Sequence, residues 1–270
     1  MESTRPIRAL IRGLDALTVL NLRDGATVSE VAHDIRLPRT TVYRILETLT
    51  ESGFVLRDPA DERYRITVRV KDLSTGFEDE PWVSEIAQPQ MDSLVGEIAW
   101  PLHLCSLSGS RLTVLASTHH ATALAVERHS QGTSLPLPST SAGRAFLAFC
   151  PAARRDALLE LLSRSKREED QAARNLPEFK QLLAEIQAQG YATVSRTRRL
   201  IDELNVSVPV LFDDRPLAVL TVRFVASAVP LKSGIERFLP RLRQCAARIV
   251  SQHAQRQGLS QAQSSPGAAV

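Results

Sequence analysis

One apolar spacing occurs twice near the start of this chain: Val28, Val31, Ala32 and Ile35, then Val42, Ile45, Leu46 and Leu49. Both sets follow i, i+3, i+4, i+7, the stripe by which a helix buries one face. Between them Arg36-Leu37-Pro38 predicts a turn, with Pro38 at the first helical position, where a missing N–H costs nothing. Gly53 predicts the stop of the second helix. Beyond it, Phe54-Val55-Leu56-Arg57 and Arg63-Tyr64-Arg65-Ile66 flank the turn Asp58-Pro59-Ala60-Asp61-Glu62, which predicts a hairpin. Ahead of the pair, Ile7, Leu10, Ile11, Leu14 and Leu17 predict a first helix that closes a three-helix core. The whole of residues 1–67 is expected to be a winged helix-turn-helix.

With the second stripe turned inward, Thr40, Tyr43, Arg44 and Glu47 face outward and Arg39 flanks them on the first turn. A helix entering the major groove needs such groups near its N-terminus, to reach base edges and meet phosphates at the positive dipole end. No acidic residue occurs from Ile35 to Leu46. The candidate DNA contacts are Arg36, Pro38, Arg39, Thr40, Thr41, Tyr43 and Arg44 from the reading helix and its turn. The wing adds Arg57, Arg63 and Arg65, which could meet the phosphate backbone. Residues 1–77 hold twelve Lys or Arg and eleven Asp or Glu, so it is the distribution of charge, not its balance, that favours DNA over a small protein-binding module. One winged helix reads few base pairs, so a dimer on paired half-sites is expected, with the first helix and the linker as its natural contacts.

After the wing the pattern changes. Val70, Leu73 and Phe77 predict a linker helix over residues 68–80, and Glu78-Asp79-Glu80-Pro81 breaks it, with the domain boundary near residue 79. Residues 81–251 then mix helical and alternating stretches, as in an α+β sensor domain. Ile86, Met91, Leu94, Val95 and Ile98 predict a helix bent at Pro89. Strands are expected over Pro101 to Leu107, Arg111 to Thr118 and Ala123 to Arg128. Ser139-Thr140-Ser141-Ala142-Gly143 reads as a small-residue loop before a helix from Arg144 to Cys150, with a further helix after Pro151. Ser163 to Arg174 reads as a solvated, mobile charge run, and Pro177 to Gln189 as a helix stopped by Gly190. Leu204 to Phe212 and Pro216 to Phe224, joined by Asp213-Asp214-Arg215, carry a strong hairpin signal. A last helix holds Ile235, Phe238, Leu239, Leu242 and Ile249, and residues 252–270 are expected to be a disordered tail.

Composition narrows the alternatives. The chain has 270 residues, 43% of them hydrophobic, and a formal charge of +3, enough for two cores and permissive of a nucleic-acid partner. Three scattered cysteines without a CxxC fit a reducing cytoplasm. No signal-peptide pattern and no long apolar run is present, so a soluble cytoplasmic protein with no membrane partner is expected. His103 and Cys105 on one strand face, with His119-His120 nearby, offer a competing metal-sensor reading, although their spacing matches no dense ligand motif. Ser139, Ser141 and Cys150 are weak nucleophile candidates: no GxSxG, phosphate loop or HExxH surrounds them, so no catalysis and no cofactor are expected.

The order of pieces resembles the IclR family of bacterial transcription regulators from about Ile7 to about Val250. The resemblance is carried by Leu37-Pro38-Arg39-Thr40-Thr41-Val42-Tyr43-Arg44-Ile45-Leu46, by Leu135-Pro136-Leu137 before Ser141-Ala142-Gly143-Arg144-Ala145-Phe146-Leu147-Ala148, and by Gly190-Tyr191. Ala99-Trp100-Pro101, Arg223-Phe224 and Glu236-Arg237-Phe238-Leu239-Pro240 look closest to the branch that includes MhpR, an activator of hydroxyphenylpropionate catabolism. What the resemblance implies is a C-terminal GAF/PAS-like α+β effector-binding domain that binds a small organic acid, plausibly an aromatic carboxylate, and alters how a homodimer or homotetramer sits on double-stranded operator DNA. RNA polymerase is a further partner of such a regulator. Carried over by position, the effector site is Ser141 and Ala142, Asn205 and Ser207, Thr221 and Arg223. The segment Thr193 to Glu203, with Arg196, Arg198 and Arg199, departs from the commoner family pattern in length and lacks its acidic character.

Strand alternation supports part of this assignment on its own, because Leu220-Thr221-Val222-Arg223-Phe224 places Thr221 and Arg223 on one face, opposite the bulky apolar groups. The planar fork of an arginine there would bind a carboxylate through two charge-assisted hydrogen bonds. The competing reading leaves Arg223 on a solvated sheet face. A ligand-free dimerising DNA-binding protein is the remaining alternative.

Overall fold

A computed structural model describes residues 7–23, 25–74, 81–125, 129–198 and 201–264. The chain divides into two compact units, Met1–Glu78 and Asp79–Val270.

In the first unit, helices α1 (Arg8–Leu22), α2 (Val28–Asp34) and α3 (Arg39–Glu51) precede a hairpin of β1 (Val55–Arg57) and β2 (Tyr64–Ile66). Both predicted stripes pack into one core: Val31, Ala32, Val42 and Leu46 are buried, with Val28, Ile35, Ile45 and Leu49 half-buried against them. Thr27 caps α2 by accepting from the Glu30 N–H while the Glu30 carboxylate accepts from the Thr27 N–H at 2.8 Å, a reciprocal capping box. The turn to α3 passes through Arg36 in a left-handed conformation (φ 54°). Pro38 stands one residue earlier than expected: it is the N-cap of α3, its extended ψ of 140° leaving its carbonyl to accept from Thr41 and Val42. Gly53 (φ 77°) closes α3, with Phe54 N–H donating to Leu49 O and Gly53 N–H to Thr50 O.

The first helix turns a different face inward from the one predicted. Ala16 and Leu20 are buried and Leu17 half-buried, whereas Ile7, Leu10, Ile11 and Leu14 are 47–70% exposed. A short helix needs only its C-terminal half to cover the α2–α3 pair, so its N-terminal apolar residues are left over. The expected linker helix is 3-10 over Val68–Ser74, and residues 75–80 lie outside the described residues.

The second unit is a six-stranded antiparallel sheet in the order β5-β4-β3-β8-β7-β6. Its strands are β3 (Leu102–Ser108), β4 (Arg111–Ser117), β5 (Ser134–Pro136), β6 (Ala192–Arg198), β7 (Ile201–Phe212) and β8 (Arg215–Val225). One face carries α4 (Gln88–Ile98) and α8 (Leu231–Ser264), packed on Leu102, Leu104, Val206, Val208, Leu220, Val222 and Phe224. The other carries α5 (Ser141–Phe149), α6 (Ala152–Ser163) and α7 (Leu176–Gln189), packed on Cys105, Leu112, Val114 and Val219. The β7–β8 loop is two residues, Asp213 and Asp214, both at positive φ (49° and 58°), the geometry that a two-residue hairpin prefers.

Five expectations need correction. The bend at Pro89 is taken up before it, in a π-helical turn over Val83–Ala87, since proline offers no N–H to the preceding carbonyls. No strand forms over residues 123–125, and 126–128 lie outside the described residues; the third strand of this meander is β5, paired through Leu112↔Leu135. The small-residue loop is partly helix, because Thr140, not a later residue, caps α5 and draws Ser141-Ala142-Gly143 into its first turn. The charge run contains a 3-10 turn, Glu168–Arg174, that buries Asp170 and Ala173 and is pinned by Arg174 to the Ser165 and Arg167 carbonyls. The tail from residue 252 is helical to Ser264, continuing α8; His253 is buried edge-on between Trp82 and Phe212, and that aromatic contact supplies the burial its composition lacks. Residues 265–270 lie outside the described residues.

Candidate functional site

Two sites emerge, one in each unit. In the first, inward packing of Val42 and Leu46 leaves Pro38, Arg39, Thr40, Tyr43, Arg44 and Glu47 exposed along one side of α3, with Thr41 half-buried and Arg36 exposed on the turn. Among the described residues, Arg36, Arg39 and Arg44 enter no ion pair, so their charge is available to an anionic partner. The helix start itself adds unsatisfied N–H groups and the positive dipole end.

The wing arginines are arranged differently. Arg57 is ion-paired with Glu62 and lies 5.8 Å from the Tyr64 ring centre. Arg63 reaches Glu30 at 3.2 Å and the Gly25 carbonyl at 3.0 Å. Arg65 bridges Asp58 (2.9 Å) and Asp61 (2.6 Å) and holds the Asp61 carboxyl down at about 2. These contacts shape the wing from within. Tyr64, 1% exposed, donates from its hydroxyl to Glu47 at 2.9 Å, and its backbone pairs with Ala26. Burial, and then Glu47, push the Tyr64 hydroxyl up to about 12, so it stays a donor. Glu47 is thereby a strut between α3 and the wing.

In the second unit, strand alternation sends Glu203, Asn205 and Ser207 from β7, Thr221 and Arg223 from β8 and His103 from β3 to the face that α5 covers. All six are buried. Register places them side by side: Asn205 opposite Arg223, Ser207 opposite Thr221, and Thr221 opposite His103. Ser207 hydrogen-bonds Ser141 at 2.8 Å and Thr221 at 2.7 Å, a hydroxyl chain from the sheet to the first turn of α5. Thr140 anchors that turn by donating to Pro136 O (2.6 Å) and accepting from Gly143 N–H (3.0 Å). Gly143 is required there, since a Cβ would lie 2.2 Å from the Leu137 carbonyl oxygen.

The structure thus brings Ser141, Ala142, Asn205, Ser207, Thr221 and Arg223 to one buried polar zone. Arg223 is neither solvated nor open-handed: it is ion-paired with Glu203, which also accepts from Asn205 at 3.3 Å. A cavity of about 20 Å³, roughly room for one water, is lined by His103, His129, Thr140, Ser141, Ala142, Glu203 and Asn205 among others. His103 meets His129 edge-on at 5.5 Å. Burial first, then His129 and Arg223, lower the His103 pKa well below the usual histidine value, so the ring is neutral at pH 7. Sequence reasoning missed Glu203, His129 and Thr140. The i, i+2 run Glu203, Asn205, Ser207 was a legible polar face; the approach of His129 carried no local signal.

His103 therefore partners His129 rather than His119-His120, which contact each other, and burial raises the Cys105 thiol far out of the range of an easy thiolate ligand. Among the described residues no three His, Cys, Asp or Glu side chains cluster as a metal would need. Burial likewise raises the Cys150 thiol, and Ser141 is hydrogen-bonded to Ser207. Among the described residues no helix is long and apolar enough to cross a membrane.

Two family models match the chain: the IclR helix-turn-helix domain over residues 9–59 and the bacterial transcriptional regulator IclR C-terminal domain over residues 80–251. The probable transcriptional regulator SauR of Cupriavidus necator is 27% identical over 247 residues, spanning 90% of this chain and 95% of its own. An IclR family regulator from Brucella abortus superposes with a TM-score of 0.61 at 22% identity, over 92% of this chain and 93% of its own. An IclR homologue from Microbacterium hydrocarbonoxydans, solved in complex with 4-hydroxybenzoate, gives a TM-score of 0.59 at 21% identity, over 90% and 98%. The relatives are transcriptional regulators, not enzymes. With a reading helix and wing in one unit, an α5-covered polar zone in the other and both matched by their models, the chain belongs to the IclR family of DNA-binding transcriptional regulators.

Proposed function

We propose that this regulator is controlled by a small organic acid, an aromatic carboxylate being favoured, that binds between α5 and the β7–β8 hairpin. The observation that carries the reading is the buried hydroxyl, amide and guanidinium row of Ser141, Asn205, Ser207, Thr221 and Arg223, with Ala142 beside it. Such a row stabilises a core less than apolar side chains of the same size would, even when its members are hydrogen-bonded to one another, which favours a role in recognition. The 4-hydroxybenzoate held by a protein of the same fold supports the ligand class, as does the MhpR-type resemblance of Ala99-Trp100-Pro101 and Arg223-Phe224. The ligand acts only through its differential affinity for two states of the protein.

On the DNA side, Arg36, Arg39, Thr40, Thr41, Tyr43 and Arg44 read and position, Pro38 sets the start of the reading helix, and Arg57, Arg63 and Arg65 shape the wing. The exposed Ile7, Leu10, Ile11 and Leu14 mark α1 as a dimer contact, since they form an apolar row on the surface of this unit. Dimers pair two readers on one operator, tetramers are the next assembly, and RNA polymerase is the downstream partner. The test is selection of binding sequences from a random duplex pool, followed by titration of the selected DNA with and without 4-hydroxybenzoate. The reading is supported by a ligand-dependent shift in affinity. It is sunk if benzoates neither bind the protein nor change its DNA complex.

A further inference from the structure

We propose that His253 is a latch coupling the effector hairpin to the root of the linker: it is held between Phe212, the last residue of β7, and Trp82, which caps the π-helical turn Val83–Ala87. The latch rests on the effector reading above and adds the step by which an occupied site would act on the segment that follows the linker.

β7 runs unbroken from Ile201 to Phe212. Asn205 and Ser207 point to α5, whereas Val206, Val208 and Val210 pack on the α8 face, and alternation puts Phe212 with them. An acid that displaces β7 from the α5 side therefore moves Phe212 on the other. There the His253 ring, 7% exposed, meets Phe212 at 5.0 Å and Trp82 at 5.6 Å, both edge-on. His253 lies on α8 just past residue 251, where the match to the family's C-terminal domain ends. The neighbouring ties are of a kind that opens easily: Gln252 meets Gln90 at 3.4 Å, and Arg256 pairs with Glu85 in solvent.

The turn that Trp82 caps has two registers within reach. A π-helix closes i to i+5 and an α-helix i to i+4, so the two differ by a single residue. Pro89 favours the π register, since it has no N–H to give to the Glu85 carbonyl that an α-helix would pair with it. Passing to the α register would rotate Pro81 and Trp82, where the linker joins, by about 100° around the helix axis. Trp82 would then leave His253. The stack of Phe212, His253 and Trp82 thus holds one register, and a displacement of Phe212 by the ligand biases the choice between them.

The test is titration of the selected operator duplex with the full chain, with and without 4-hydroxybenzoate, for the wild type and for His253→Leu, which keeps an apolar side chain but removes the ring. Ligand binding is followed in parallel by isothermal titration, and amide exchange over residues 82–90 by mass spectrometry. In the wild type the ligand should change DNA affinity about fivefold or more and alter exchange in that segment. His253→Leu should still bind 4-hydroxybenzoate, while its DNA affinity responds by less than about twofold and exchange over 82–90 no longer responds. A merely structural role would weaken ligand or DNA binding and leave that ratio in place. A variant that binds 4-hydroxybenzoate and keeps the wild-type ratio would overturn the latch and leave the effector reading intact. Ligand binding to the wild type with no change in exchange over 82–90 would do the same. Failure of the wild type to bind 4-hydroxybenzoate would overturn both. If His253→Leu does not fold, Phe212→Leu removes the ring on the hairpin side and should abolish the ratio in the same way; an unchanged ratio there would overturn the latch.

Discussion

Arg65 lies on the wing hairpin, yet its guanidinium is held by Asp58 and Asp61, and Gly25 packs against its side chain. Arg39 and Arg44 on α3 have no such partners among the described residues. The two kinds of arginine should therefore separate in titrations of duplex DNA. Arg44→Ala is expected to cost about 1–3 kcal/mol on the selected sequence and less on random DNA, as for loss of a base-edge contact. Arg39→Ala should reduce the salt slope of binding by about one unit. Arg65→Ala should leave that slope unchanged. An equal loss of slope in all three would mean that the wing arginines let go of their carboxylates on DNA. His103 gives a second test at this scale. Its folded-state pKa is depressed, so between that value and the ordinary histidine value of 6.5 the unfolded chain binds more protons. Stability then falls as pH drops through about 6.5, and His103→Asn should flatten that part of the pH profile of the denaturation midpoint.

At the level of elements, the Leu135-Pro136-Leu137 segment and the first turn of α5 fit only because position 143 has no side chain. Gly143→Ala should cost about 1–3 kcal/mol or more through forced backbone displacement, read as a lower urea midpoint. It should also impair ligand binding, because Ser141 sits on the same turn. Thr27→Ala removes the α2 cap and should cost about 0.5–2 kcal/mol, with no effect on ligand. The sequence carried α2, α3 and the β7–β8 hairpin plainly, through helical stripes and an Asp-Asp turn. It carried α5 less well: Ser, Ala and Gly read as loop until Thr140 is seen to cap them. The N-terminal half of α1 misled because exposed and buried apolar stripes look alike until a partner surface is known. The tail after residue 251 misled because its burial comes from Trp82, some 170 positions earlier than His253. The same limit hid Glu203, whose polar spacing was visible but whose partner, Arg223, lies across the hairpin.

For the whole molecule, the proposed dimer predicts a concentration dependence. Replacing Ile11 and Leu14 together with Glu should shift the protein toward a monomer in sedimentation velocity and weaken specific DNA binding far more than ligand binding. An unchanged sedimentation coefficient would move the dimer contact elsewhere.

Within the first unit, three ties converge on the wing. Tyr64 is bonded to Glu47 of α3 through its hydroxyl and to Ala26 through its backbone, and Arg63 is bonded to Glu30 of α2. A reading head braced at three points has little freedom to reshape its contacts with bases. A signal from the ligand would reach DNA as a change in where two such heads stand, not in what each one reads. Ligand response would then depend on operator spacing: inserting or removing a base pair between half-sites should shift or invert the effect of the ligand, while substitutions inside a half-site should alter affinity equally in its presence and absence.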